Sequence, residues 1–131
     1  MYQSLTIIGN LGRDPEMRYT PSGQAVTSFS VATSRTFTTQ GGEQSKETVW
    51  FRVSAWGKTA EACKTYLHKG SKVLVVGRLT PDKETGNPRV YKNKEETYSA
   101  SFDVTAQEVK FLGGDKGDKP APAELQDEEP F

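Results

Sequence analysis

The stretch "TVWFRVSAW" (48–56) constrains the fold of this chain more than any other. A β-strand sends alternate side chains to opposite faces. Odd positions give Val49, Phe51, Val53 and Ala55, an apolar core face of graded size. Even positions give Thr48, Trp50, Arg52, Ser54 and Trp56. A face meant only for water carries polar side chains, whereas this one carries two indoles flanking a guanidinium. Neighbours on one face are roughly 7 Å apart, which puts Trp50 and Trp56 roughly 20 Å apart with Arg52 between them. Such a strand needs a core on one side and something flat, apolar or anionic on the other.

The other segments supply the rest of a small β-domain. "SLTIIGNLG" (4–12) is a branched-residue strand ending in glycine, and "DPEMRYTPSGQ" (14–24), with two prolines and a Ser-Gly, reads as a loop. "AVTSFSVATSRTF" (25–37) alternates, with Ala25, Thr27, Phe29, Val31 and Thr33 on one side, and "TTQGGEQSK" (38–46) reads as a connector. "TAEACKTYLHKG" (59–70) puts Ala60, Cys63, Tyr66 and Leu67 on one helical stripe, with Thr59 as the N-cap and Gly70 behind the C-terminus. "SKVLVVGRL" (71–79) is apolar enough for burial on both faces, with Gly77 marking a bulge or tight bend. "TPDKETGNPRVYKNKEET" (80–97) reads as a polar hairpin arm, and "YSASFDVTAQEVKFL" (98–112) alternates with Phe102, Val104 and Ala106 on one face.

Three strands, a helix and two strands make an all-β domain with one helix. This is the layout of a five-stranded OB-fold barrel whose helix lies between the third and fourth strands. From residue 113 the apolar periodicity stops. Gly, Pro, Ala and charge dominate, so 1–112 reads as the domain, 113–126 as a disordered linker and 127–131 as an acidic tip.

The formal net charge of zero hides an opposition. Residues 1–112 hold 15 Lys+Arg against 11 Asp+Glu, while 113–131 hold two lysines against six acids. A body of +4 beside a tail of −4 points to an anion-binding domain with an acidic appendage. One cysteine and one histidine give no disulfide and no metal cluster, and no cofactor motif is visible. Cys63, inside the helical stripe, reads as a core residue. "GNLGRDP" (9–15) misses the dinucleotide fingerprint, and no nucleophile–base set stands out, so the chain reads as non-enzymatic. No apolar run approaches ~18 residues, and "MYQSLTIIGN" lacks the basic and apolar regions of a secretion signal. The expectation is a cytoplasmic protein that does not enter a membrane.

Bases have flat π-faces, and stacking on aromatic side chains tolerates any sequence. Trp50 and Trp56 therefore read as a stacking platform for a single-stranded nucleic acid, with Arg52 meeting phosphates between bases. Arg35 with Phe37 repeats the cation-plus-ring pairing. Lys58, Lys69, Lys72, Arg78, Arg89, Tyr91 and Lys92 add cations and one more ring.

In these segments the chain resembles the bacterial single-stranded DNA-binding protein family. The resemblance is carried by "IIGNLGRDPEMRYTPSGQAVTSFSVAT" (7–33), "ETVWFRVSAWGKTAE" (47–61), "YLHKGSKVLVVGRL" (66–79) and the terminal "DEEPF". It implies an OB-fold assembling as a homotetramer that wraps single-stranded DNA, and a tip that docks on replication, repair and recombination proteins. The family's stacking positions fall on Phe37, Trp50 and Trp56, and its basic contacts match at Arg52, Lys58, Lys69 and Arg78. One departure is "PDKETG" (81–86), where many members carry an aromatic; Tyr91 is the candidate substitute.

Read as a peptide ligand, the tip fits one form of recognition. The Phe131 ring fills an apolar slot, its carboxylate meets a basic residue, and Asp127, Glu128 and Glu129 meet a positive rim. Pro130 limits the conformations lost on docking. Two alternatives stay open. One is a single-stranded RNA-binding OB protein of cold-shock type. The other is an assembly module whose Trp50 and Trp56 anchor a protein interface.

Overall fold

The computed structural model describes residues 1–113. The linker from residue 114 and the tip residues 127–131 lie outside the described residues. The described chain forms β1 (Leu5–Leu11), β2 (Glu16–Tyr19), β3 (Ala25–Thr38), β4 (Gln44–Trp56), α1 (Gly57–Tyr66), β5 (Lys72–Leu79), β6 (Val90–Lys92), β7 (Tyr98–Ala100) and β8 (Phe102–Phe111). Five of the strands close on themselves in the order β1-β5-β8-β4-β3, with β3 returning to β1 through Asn10↔Ala32 and Leu11↔Val31. Only β4–β8 is parallel among these pairings; the others are antiparallel. This is the expected OB-fold barrel, with the helix between its third and fourth strands.

The barrel interior follows the alternation. Phe29, Val31, Val53, Ala55, Val73, Val75 and Val104 are buried in one cluster, which Ile7 and Leu11 join from β1. The helix closes the barrel end by adding Cys63, with Leu67 just behind it. Thr27 is fully buried, and its Oγ1 donates to the Ala60 carbonyl at 2.7 Å. That bond satisfies a hydroxyl which would otherwise be costly to bury. Burial also pushes the Cys63 thiol up to about 12, which keeps it protonated and inert.

Close backbone approach explains two glycines. A Cβ at Gly9 would collide with the Ala32 carbonyl oxygen where β1 meets β3, and one at Gly77 with the Thr105 carbonyl oxygen. The β5–β8 register shifts between Val76 and Gly77, so the bulge read from the sequence is present.

Several local readings need correction. Residues 14–24 are not only loop, because Glu16–Tyr19 pairs with β3 as an edge strand. Of its side chains only Met17 is half-buried, so the strand is held by its backbone ladder and leaves no apolar pattern. Strand pairing runs on to Thr38↔Gln44, leaving a tight turn over 39–43 where a longer connector was expected. The helix begins at Gly57, two residues before Thr59. Trp56 holds the N-cap position without a side-chain cap, and Gly57, at φ 65°, turns the strand directly into the helix. Tyr66 is exposed beyond the helical stripe and rests against Phe111, ring centroids 5.6 Å apart. On β5 only Val73, Val75 and Gly77 are fully buried, while Leu74 and Val76 are half-buried on the outer face. The arm 80–97 contains a tight turn and then β6, which pairs with β7 beyond the arm in a small hairpin separate from the barrel sheet. The expected strand 98–112 breaks at Ser101, whose Oγ donates to Asp103.

Candidate nucleic-acid interface

Cross-strand partners point to the same side of a sheet, so the register lays out the outer face of the barrel row by row. Trp50 lies opposite Ala32, which in turn pairs with Asn10 of β1. The next row runs Ser30, Arg52, Asp103, and the next Ser28, Ser54, Thr105, Arg78. The last runs Arg18, Val26, Trp56. Beyond the buried Val26 beside Trp56, the β3 contribution to this face is Ser28, Ser30 and Ala32, all small. The aromatic groups of β4 therefore stand above a low floor. Trp50 is 52% exposed and Trp56 40%, large values for indoles in a sheet.

The cations differ in how far they are committed. Arg52 makes no ion pair among the described residues. Arg35 donates through Nε to Glu47 Oε1 at 2.6 Å, and its guanidinium lies 4.8 Å from the Phe37 ring centroid. Arg89 Nη2 is 3.4 Å from the mostly buried carboxylate of Asp103, which the register places beside Arg52.

The expected residues do not all share one surface. Trp50, Arg52, Trp56 and Arg78 lie on one outer face. Arg35 and Phe37 pair with Glu47 and Ser45 on the opposite side of the β3–β4 ribbon, out where that ribbon leaves the barrel. Lys58 is exposed in the first turn of α1, directly after Trp56. Lys69 sits in the α1–β5 loop, and its backbone N–H donates to Asp14 Oδ1 at 2.8 Å. Tyr91 lies on β6 opposite Ser99 and is half-exposed.

Sequence reading missed Arg18, which belongs to an edge strand taken for a loop. It also missed Asp103 and the Thr80–Thr105 hydroxyl pair, 2.6 Å apart, on the same face. Alternation within β8 could have revealed Asp103 and Thr105, but their position beside Arg52 needed the parallel β4–β8 register. Among the described residues no group of His, Cys, Asp or Glu could hold a metal ion, and no helix is long and apolar enough to cross a membrane.

Residues 2–112 match the Single-strand binding protein family. The chain belongs to this family. A single-stranded DNA-binding protein of Neisseria meningitidis serogroup A is 41% identical over 108 residues, 82% of this chain and 58% of that protein. One from Wolinella succinogenes is 36% identical over 118 residues, 90% of this chain and 73% of that protein. The chain thus spans less than two thirds of the Neisseria relative's length. Among solved structures, a Plasmodium falciparum SSB in complex with ssDNA superposes with a TM-score of 0.70 at 21% identity, covering 86% of this chain and 96% of that one. A deletion mutant of the single-stranded DNA binding protein from Thermus aquaticus gives 0.65 at 29% identity, over 85% and 50%. The family match spans the whole barrel, β4 included.

Proposed function

We propose that this protein binds single-stranded DNA without regard to sequence and shields it during replication, repair and recombination. In this reading it works in the bacterial cytoplasm as a homotetramer, without catalysis. The observation that carries the reading is the outer face of β4: two half-exposed indoles and, between them, a guanidinium without an ion pair among the described residues, beside Ser28, Ser30 and Ala32 of β3. Each indole offers a surface for one base, worth ~1–3 kcal/mol whatever the base, and Arg52 offers charge to the backbone between. Small floor residues leave room for the deoxyribose and phosphate. A duplex keeps its bases stacked inward and cannot use such a platform, so the substrate is a single strand. The tip, Asp127 to Phe131, serves in this reading as the ligand by which partner proteins are recruited.

The test is a fluorescence titration with oligo(dT) at several salt concentrations. Stacking quenches indole emission, and phosphate neutralisation makes affinity fall with salt by about 0.7 in log–log slope per contact. Unquenched emission with salt-insensitive affinity would refute the platform. Competition by RNA of matched sequence separates the DNA reading from an RNA-binding one. A pull-down with Phe131→Ala protein tests the tip, and capture equal to the parent's would reduce it to a solubilising charge.

A further inference from the structure

Gly12 follows β1 at the edge of the outer face. A Cβ built on it would stand 2.6 Å from Trp50 Cζ3 and 2.7 Å from Cη2, and its third-nearest neighbour, Cε3 of the same ring, is already 3.9 Å away. Its own chain neighbours aside, nothing else among the described residues comes closer than that. Gly12 is thus unlike Gly9 and Gly77, whose missing side chains make way for backbone carbonyls. Its φ lies outside the left-handed region, so the backbone there suits alanine as well as glycine. Apart from the indole, the fold would accept a methyl group at this position.

We propose that Gly12 is a positioning residue for the stacking platform: its bare Cα is the seat on which the Trp50 ring lies. The ring reaches from β4 past its β3 partner, Ala32, to the end of β1. Two positions without large side chains thus let it lie along the barrel, leaving its other side for a base.

The seat is fastened. Gly12 N–H donates to the Ser30 carbonyl at 3.1 Å, Asp14 accepts from Lys69 N–H at 2.8 Å, and Lys64 Nζ donates to the Pro15 carbonyl at 3.3 Å. Carbon atoms rest at about 3.5–4.0 Å, so a methyl at Gly12 would have to displace something by about 1 Å. The loop is tied at three points, whereas the indole turns on two side-chain torsions. The ring gives way and tilts out of its stacking orientation.

The effect on DNA rests on the proposed function, but the position of the ring does not. The experiment uses full-length protein carrying Trp56→Phe, so that Trp50 is the only indole. To it are added Gly12→Ala, Trp50→Ala, or both. In the absence of DNA, Gly12→Ala should shift the Trp50 emission maximum and change its quenching by acrylamide. Labelled oligo(dT) anisotropy should show Gly12→Ala weakening binding by about fivefold or more, a substantial part of one lost stack. In the Trp50→Ala background the same substitution should change affinity by less than about twofold. Unaltered Trp50 emission, or a full further loss in the Trp50→Ala background, would overturn the assignment. Should Gly12→Ala unfold the protein, the double variant decides. Folding once the indole is gone supports the seat, and failure to fold makes Gly12 a backbone requirement. A parent that ignores oligo(dT) would sink the proposed function, and the emission shift would still decide the position of the ring.

Discussion

The β3–β4 hairpin is two structures in one. Over residues 25–32 and 49–56 it is part of the barrel, and its faces have different surroundings: Val31, Val53 and Ala55 are fully buried, while Trp50 and Trp56 stand out. Over 33–48 it leaves the barrel as a ribbon whose residues are mostly exposed on both faces. In the barrel half, alternation carries information, because one side must be apolar and any ring on the other side needs a reason. In the ribbon half there is no core to point at. Phe37 and Arg35 therefore resemble Trp50 and Arg52 in chemistry but not in placement. The lesson is that the face of an aromatic–cation pair can be read from sequence only where a core fixes the direction of its strand.

Stability should separate the halves most strongly. Val53→Ala removes fully buried methyl groups at the barrel centre and should cost roughly 2–3 kcal/mol of unfolding free energy. Phe37→Ala, on the ribbon, should change stability by less than about 0.5 kcal/mol. Urea denaturation followed by circular dichroism checks both, and equal midpoints for the two variants would show that the ribbon packs on something after all.

Binding should rank in the opposite sense. Trp50→Ala and Trp56→Ala should each weaken single-stranded DNA binding by ~1–3 kcal/mol while leaving the urea midpoint nearly unchanged. Val53→Ala should keep parental affinity wherever it is folded. Phe37→Ala should cost less than either tryptophan, because its ring is already faced by the Arg35 guanidinium. Anisotropy titrations would break the comparison if Phe37 proved the larger contributor.

The same contrast explains how much was legible beforehand. The succession of barrel strands and helix along the chain, the Gly77 bulge and the outward tryptophans were legible, the first and last from periodicity and the bulge from a glycine inside an apolar strand. β2 was hidden because a four-residue edge strand is held by backbone hydrogen bonds, which composition does not record. The helix start was misplaced because Gly57 takes the chain from strand to helix without a side-chain cap. Asp103 and Arg18 were missed because their neighbours on the outer face come from distant segments, through the β4–β8 and β2–β3 registers. Gly12 read only as the glycine that ends the first strand, and the nearness of the Trp50 ring is what tells it apart.

Salt dependence should sharpen the difference between the two arginines. Arg52 is unpaired among the described residues, so Arg52→Ala should lower the log–log salt slope by about 0.7, one phosphate contact. Arg35→Ala should lower it by less, because Arg35 is shared with Glu47. Equal reductions would mean that the ion pair opens freely when DNA arrives.

The smallest effect is the one that shows whether the ribbon lies on the DNA path. The Arg35–Glu47 pair is well exposed, with side chains 67% and 49% accessible, and a pair of that kind is worth about 0–1 kcal/mol. For Arg35 to meet a phosphate, it must leave Glu47 or bring that carboxylate close to another anion. Glu47→Gln removes both obstacles while keeping the shape of the side chain. Arg35 stays on the ribbon because its guanidinium still lies against the Phe37 ring. Binding should therefore tighten by less than about fivefold at low salt, and the log–log salt slope should steepen by at most about 0.7, one added phosphate contact. The gain should shrink as salt screens the exposed charges. Repeating the titration with Arg35→Ala added should remove the gain, since the freed guanidinium is its source. If Glu47→Gln leaves both affinity and slope at parental values, the strand passes only over the barrel half, and Arg35 and Phe37 drop out of the interface.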